Sequence, residues 1–280
     1  MTLSKIITIM KNKFLFLLFT SILLGGCSSD DNSEGNPPTQ EQGIFFPQQQ
    51  GNYWVYDVNS TQGEGRDSLY ISGIHTNNKQ TYYTFSTQSN PPFGFYSSMM
   101  VSGESRTSDS KVYISGSISM ADIFGGEFTD YTIDFQDFLF FDTGASQGQT
   151  LDSNSGEFEI PYSEEMTFSV QYTLSAKVGQ NYSDYTTPSG DIYEDVNSVV
   201  IAVSAKITAN INFFGTIIPY PLLDTQDVIS STQYYANNIG MMFATTDFQY
   251  NLNEIDGFAM PIPKTYFSNT TEELDHYLTE

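Results

Sequence analysis

The sequence predicts an all-β fold of long antiparallel strands, and three observations carry that expectation. From Gly43 onward, apolar and polar residues alternate with a period of two rather than 3.6. Aromatic residues, which suit a pleated and half-buried surface, are abundant, with 22 Phe and 19 Tyr in 280 residues. Clusters of Asn, Gly, Pro and Ser cut the alternation into segments.

The clearest segment is Met166–Val178, where Met166, Phe168, Val170, Tyr172, Leu174, Ala176 and Val178 are apolar and the residues between are Thr, Ser, Gln, Thr, Ser and Lys. A second runs through Val199, Ile201, Val203, Ala205, Ile207, Ala209, Ile211 and Phe213. At ~3.3 Å per residue these strands are roughly 43 to 50 Å long, well beyond the usual five or six residues. One apolar and one polar face per strand means an antiparallel sheet with one wet side. Shorter strands are expected at Tyr53–Val58, Leu69–Ile74, Gln80–Phe85, Lys111–Ile118, Tyr131–Phe135, Val228–Tyr235 and Met242–Tyr250. Breakers stand between them at Asn77-Asn78, Asn90-Pro91-Pro92, Gly125-Gly126, Ser155-Gly156, Pro188-Ser189-Gly190, Pro219-Tyr220-Pro221 and Asn237-Asn238. A short C-terminal helix is expected, capped by Ser268 or Thr270, with Glu272 and Glu273 in its first turn and Leu274 and Leu278 on its inner face. Long strands accumulate twist, so the expected architecture is a curled meander, half-barrel or lipocalin-like, with an elongated sandwich as the alternative. Leu69-Tyr70-Ile71-Ser72-Gly73 recurs as Val112-Tyr113-Ile114-Ser115-Gly116, which reads as shared strand chemistry. Apolar content dips near Thr143–Glu159, but the alternation resumes in kind, and residues 43–280 read as one domain.

Charge narrows the function. The chain has 33 acidic and 10 basic residues, a net charge of −23 and a pI near 4.1. A nucleic-acid surface needs clustered Lys and Arg, and so does a polybasic membrane patch. Neither is present in the sequence, so no nucleic-acid partner is expected.

Residues 1–26 read as an export leader. Lys5, Lys11 and Lys13 precede the apolar run Phe14–Leu24, which at ~1.5 Å per residue is too short to span a bilayer. Leu24-Gly25-Gly26-Cys27 follows and resembles a bacterial lipobox, with Gly25 a mild departure; the resemblance implies cleavage before Cys27 and lipidation of it. Cys27 is the single cysteine, so no intrachain disulfide can form. Cleavage would take the net charge from −23 to −26, because the leader holds three cations and no acid. Residues 27–42 are polar and acidic and read as a flexible tether. Cys27-Ser28-Ser29-Asp30-Asp31 also resembles the export signal of Bacteroidota surface lipoproteins, implying the outer face of the outer membrane.

Two further stretches carry a resemblance. Phe46-Pro47 followed by Gly51-Asn52-Tyr53-Trp54-Val55-Tyr56 is similar to the opening F-P-x-x-x-G-x-x-W-x-Y of uncharacterised Bacteroidota lipoproteins. Tyr234-Tyr235-Ala236-Asn237-Asn238-Ile239-Gly240-Met241 resembles their Y-Y-A-x-x-V-G segment. The resemblance implies an address and a β architecture and supplies no activity. Gly51-x-x-Trp54 is one residue longer than the Gly-x-Trp of lipocalins.

The catalytic inventory is thin. His75 and His276 are the two histidines, and neither sits in a nucleophile motif. No zinc-ligand spacing or phosphate loop is present in the sequence. No required cofactor is expected; calcium is the one candidate, at Asp184, Asp191, Glu194 and Asp195 around a Pro-Ser-Gly turn, or at Asp152, Glu157 and Glu159. Aromatic residues offer ligand-binding candidates in Trp54, Phe93, Phe95 and Tyr96, and Phe138-Leu139-Phe140-Phe141 breaks the alternation. Trp54 also reads as a plug at one end of the core with its indole N–H on a carbonyl. The expected function is a non-enzymatic surface lipoprotein that contacts a glycan, a lipid or another envelope protein. The alternatives are a carboxylate-dependent glycan hydrolase and a purely structural envelope component.

Overall fold

Alternating apolar residues need a shared interior, and the chain supplies one by rolling a single sheet around it. A computed structural model describes residues 43–124, 128, 130–255 and 262–279. The leader, Cys27 and the tether lie outside the described residues. Twelve strands follow in order: β1 (Tyr53–Ser60), β2 (Gly63–Asn77), β3 (Gln80–Ser86), β4 (Glu104–Ser108), β5 (Lys111–Ser119), β6 (Thr132–Asp142), β7 (Thr150–Ser163), β8 (Met166–Thr186), β9 (Ile192–Phe213), β10 (Thr216–Ala236), β11 (Gly240–Asn251) and β12 (Thr265–Leu278). Two short helices, α1 (Phe95–Val101) and α2 (Ala121–Phe124), interrupt them.

The sheet order is β6-β5-β4-β3-β2-β1-β12-β11-β10-β9-β8-β7, antiparallel throughout. Every consecutive pair of strands is hydrogen-bonded except β6 and β7, while first and last strands pair through Tyr53↔Leu278 to Ser60↔Thr270. The result is a nearly closed up-and-down barrel whose one seam falls where apolar content dips in the sequence. Side chains bridge that seam: Leu139 N–H donates to Asp152 Oδ2 at 3.0 Å, Asn154 Nδ2 donates to the Asp134 carbonyl at 3.2 Å, and Tyr131 stacks on Phe158.

Apolar residues of β8 and β9 point inward, with Val170, Leu174, Ala176, Val199, Ile201, Val203 and Ala205 almost fully buried. Gln171 and Lys177 face out. This is the inverse of a bilayer-crossing barrel, whose apolar residues face outward. The two copies of the Tyr-Ile-Ser-Gly segment lie on β2 and β5, and each shifts register just before its glycine, between Ile71 and Gly73 and between Ile114 and Gly116. Their likeness is the chemistry of a bulged strand.

Two expectations change. The C-terminal segment is strand β12 rather than a helix, because Ser268, Thr270, Glu272 and Leu274 turn inward at period two. The aromatic stretch after Pro91-Pro92 is no open binding loop. It enters the barrel, where α1 buries Phe95, Tyr96, Met99 and Met100. Tyr96 stands edge-on to Tyr56 and Tyr235, and Phe95 to Phe248, so the short helix plugs the interior.

Candidate functional site

The barrel has an N-terminal end, where Gly43 joins it beside the β10–β11 turn and the C terminus, and a far end, where the β9–β10 hairpin turns. The far end is closely packed among the described residues. Met120, Phe124, Phe128, Ile160, Phe168, Leu222 and Leu252 leave a gap of about 10 Å³, room for one water at most. The N-terminal end is corked by the segment before β1. Phe46 packs on Phe85, Phe140 and Tyr235, and Phe45 on Phe141.

The two stretches that carry the lipoprotein resemblance meet at this cork. Trp54 Nε1–H donates to the Ile239 carbonyl at 2.6 Å, and Tyr56 O–H donates to the Met241 carbonyl at 3.1 Å. Asn238 N–H donates to the Ile44 carbonyl at 2.7 Å. Gly240 closes the turn at φ +102°, and a Cβ there would stand 3.1 Å from the indole nitrogen. Trp54 is therefore a buried plug and not a ligand platform.

Beside the cork lies an open groove of about 690 Å³. Gly43–Gln49 form one wall, and Tyr83, Thr107, Asp109, Ser110, Lys111, Val112, Phe141, Thr143, Asn238 and Thr279 complete it. Its apolar floor comes from Phe45, Phe46, Val112 and Phe141, and its rim is mostly neutral polar, with Asp109 and Lys111 its charged side chains among the described residues. Gln48 donates through Nε2 to Ser105 Oγ, while its Oε1 is buried and accepts no hydrogen bond. Asn237 Oδ1, against Gly43, is buried and unpartnered as well. A buried amide oxygen without a donor costs free energy until a ligand or water supplies one.

A second polar constellation lies inside the barrel. Asp67 of β2 and Glu272 of β12 are buried and hold the plug by its backbone. Asp67 accepts from Phe93 N–H and Gly94 N–H, the latter at 2.8 Å. Glu272 accepts from Tyr96 N–H at 2.6 Å and from Ser97 N–H and Oγ–H at 3.1 Å. Burial pushes the Glu272 carboxyl up to about 7; the Tyr96 and Ser97 donors pull it back, and Asp67 pushes it further up. Burial likewise lifts the Tyr56 and Tyr235 hydroxyls well above the ordinary tyrosine value. A raised carboxylic acid suits general acid catalysis. These carboxyl groups, however, face plug backbone and not an open cleft, so their geometry serves structure.

The remaining sequence candidates disperse. Phe93 is 59% exposed and its ring covers Gly65, whereas Phe95 and Tyr96 are buried in the plug. Phe138, Phe140 and Phe141 are core residues, accommodated by a register shift between Val112 and Tyr113. Asp184 and Glu194 are facing register partners, and Asp191 accepts from Ser189 Oγ. Among the described residues no three His, Cys, Asp or Glu side chains are grouped to hold a metal, so Asp184, Asp191, Glu194 and Asp195 form no calcium cage. Asp152 is engaged at the seam. His75 stacks on Tyr82 near Glu104, and His276 contacts Asp275. Sequence reading missed the groove-lining Gln48 and the Asp67–Glu272 latch, because neither stands in a motif; the Phe46-Pro47 stretch was the one signal close to the groove.

Comparisons with protein-family models, curated proteins and solved structures find no match to this chain.

Proposed function

We propose that the protein is a surface lipoprotein of the Bacteroidota kind, anchored through Cys27, whose barrel binds a neutral oligosaccharide in the groove at its N-terminal end. The observation that carries this reading is the groove itself. It is a 690 Å³ recess with an aromatic floor and a mostly neutral polar rim, to which Gln48, Gln49, Ser110 and Asn238 contribute. Sugar hydroxyls pair with a neutral polar rim of this kind, and sugar C–H faces suit aromatic rings. Binding is favoured over hydrolysis because, among the described residues, the groove presents one carboxylate, Asp109, where glycosidases use two flanking the scissile bond. A purely structural role is the second reading, favoured by the packed interior.

A panel of neutral and acidic oligosaccharides, titrated against the full chain by calorimetry, tests this. The expected result is saturable binding of a neutral member, weakened about tenfold by Gln48→Ala, on the order of 1.4 kcal/mol. Absence of binding across the panel would leave the structural reading.

A further inference from the structure

The β9–β10 hairpin runs past its neighbours. β8 pairs with β9 only as far as Ile211, and Asn212 N–H donates to the Glu165 carbonyl at the end of the β7–β8 turn. β10 meets β11 only from Ile229 onward. The tip therefore has no paired neighbour strand among the described residues, with Phe213 60%, Phe214 94% and Ile217 60% exposed, and Ile218 and Tyr220 behind them. Residues 207–223 contain no charged side chain. An isolated apolar tip of this kind has a free-energy cost in water and needs a reason.

Three features choose the occupant. Near the tip β10 carries Pro219, which lacks the N–H group that an added strand would need, and at Pro221 and Leu222 Asn253 already occupies its carbonyls. The exposed apolar surface is roughly 500 Å² for five such side chains. It is sufficient for shallow burial at the boundary of headgroups and acyl chains. Finally, at the apex Phe213 and Phe214 stand edge-on with ring centroids 4.7 Å apart, and aliphatic residues and then a tyrosine follow behind. Tyrosine at that level suits the membrane–water interface.

We propose that the tip is a lipid-contacting wedge that seats Phe213, Phe214 and Ile217 in a bilayer of zwitterionic lipids. Glu164 and Glu165 beside it would meet choline or ethanolamine ammonium groups, and they disfavour an anionic surface. The proposal rests on the lipoprotein reading for nearness to a membrane.

The test uses the full lipidated chain with Phe214→Trp, reconstituted into phosphatidylcholine–phosphatidylethanolamine vesicles with brominated acyl chains. Native Trp54, the single tryptophan and buried in the core, provides the baseline. The added tryptophan is expected to be quenched at least threefold more than Trp54, with blue-shifted emission, and a further Phe213→Glu change should reverse both. Water-like emission on vesicle-bound chain would overturn the proposal. So would a blue shift without bromine quenching, which would mean a protein contact instead. Flotation of native against Cys27→Ala chain reads the anchor separately, so failure of the anchor and failure of the wedge are told apart. Should the anchor fail, the wedge still requires quenching that rises with added vesicles, and its absence overturns it.

Discussion

Glu272 shows how far a single side chain can mislead a reading of sequence. Beside Glu273 and ahead of Leu274 and Leu278 it looks like the first turn of a helix, since leucines four apart share a helical face. In the barrel it is an inward residue of β12 whose carboxyl closes on the backbone of α1. Gly94 permits that approach, because a Cβ there would fall 2.0 Å from Glu272 Oε2. The latch has a pH signature. The Glu272 carboxyl is raised from 4.5 to about 7 by burial, so the folded state favours its neutral form. Its contribution is fully present below about pH 4.5 and is lost as pH rises through about 7. The loss is on the order of 3 kcal/mol. Urea unfolding of the native chain and Glu272→Gln across pH 4.5 to 8 should show the native chain losing this increment while the variant does not. Parallel curves would remove Glu272 from the account.

At the scale of elements, legibility followed amphipathic contrast. β8 and β9 were plain in the sequence because apolar residues face a packed interior and alternate with more exposed polar ones from Met166 to Val178 and from Val199 to Ala209. β7 was invisible: it is an edge strand at the seam, exposed along most of its length, and Asp152, Ser153, Asn154 and Ser155 offer no alternation to read. β12 was misread because its inward positions Ser268, Thr270 and Glu272 are polar, chosen to meet polar neighbours and the plug. The seam offers a test of how much closure depends on side chains. Asp152→Ala removes the acceptor of Leu139 N–H and should cost about 2 kcal/mol, as for other hydrogen bonds to charged groups. Hydrogen exchange should then accelerate at Leu139–Phe141, while amides of β9 keep their protection.

For the molecule as a whole, the sequence indicated a curled antiparallel meander, but closure was beyond its reach. Closure depends on pairing β1 with β12, strands more than two hundred residues apart, and no local pattern records such a contact. The plug was hidden for a similar reason, since Phe95 and Tyr96 are as suited to an open loop as to an interior. The same closure fills the barrel and leaves the groove beside Gln48 as the recess at the N-terminal end. The candidate site is thus a product of long-range packing, which explains why residues picked for chemistry, such as Trp54 and Asp184, lie outside it. Hydrogen exchange of the full chain, with and without the neutral oligosaccharide it binds best, tests the central claim most directly. The expected result is slowed exchange confined to residues 43–49, 107–112 and 141–143. Protection elsewhere, at the β9–β10 tip or the plug, or none at saturating ligand, would contradict the assignment of the groove.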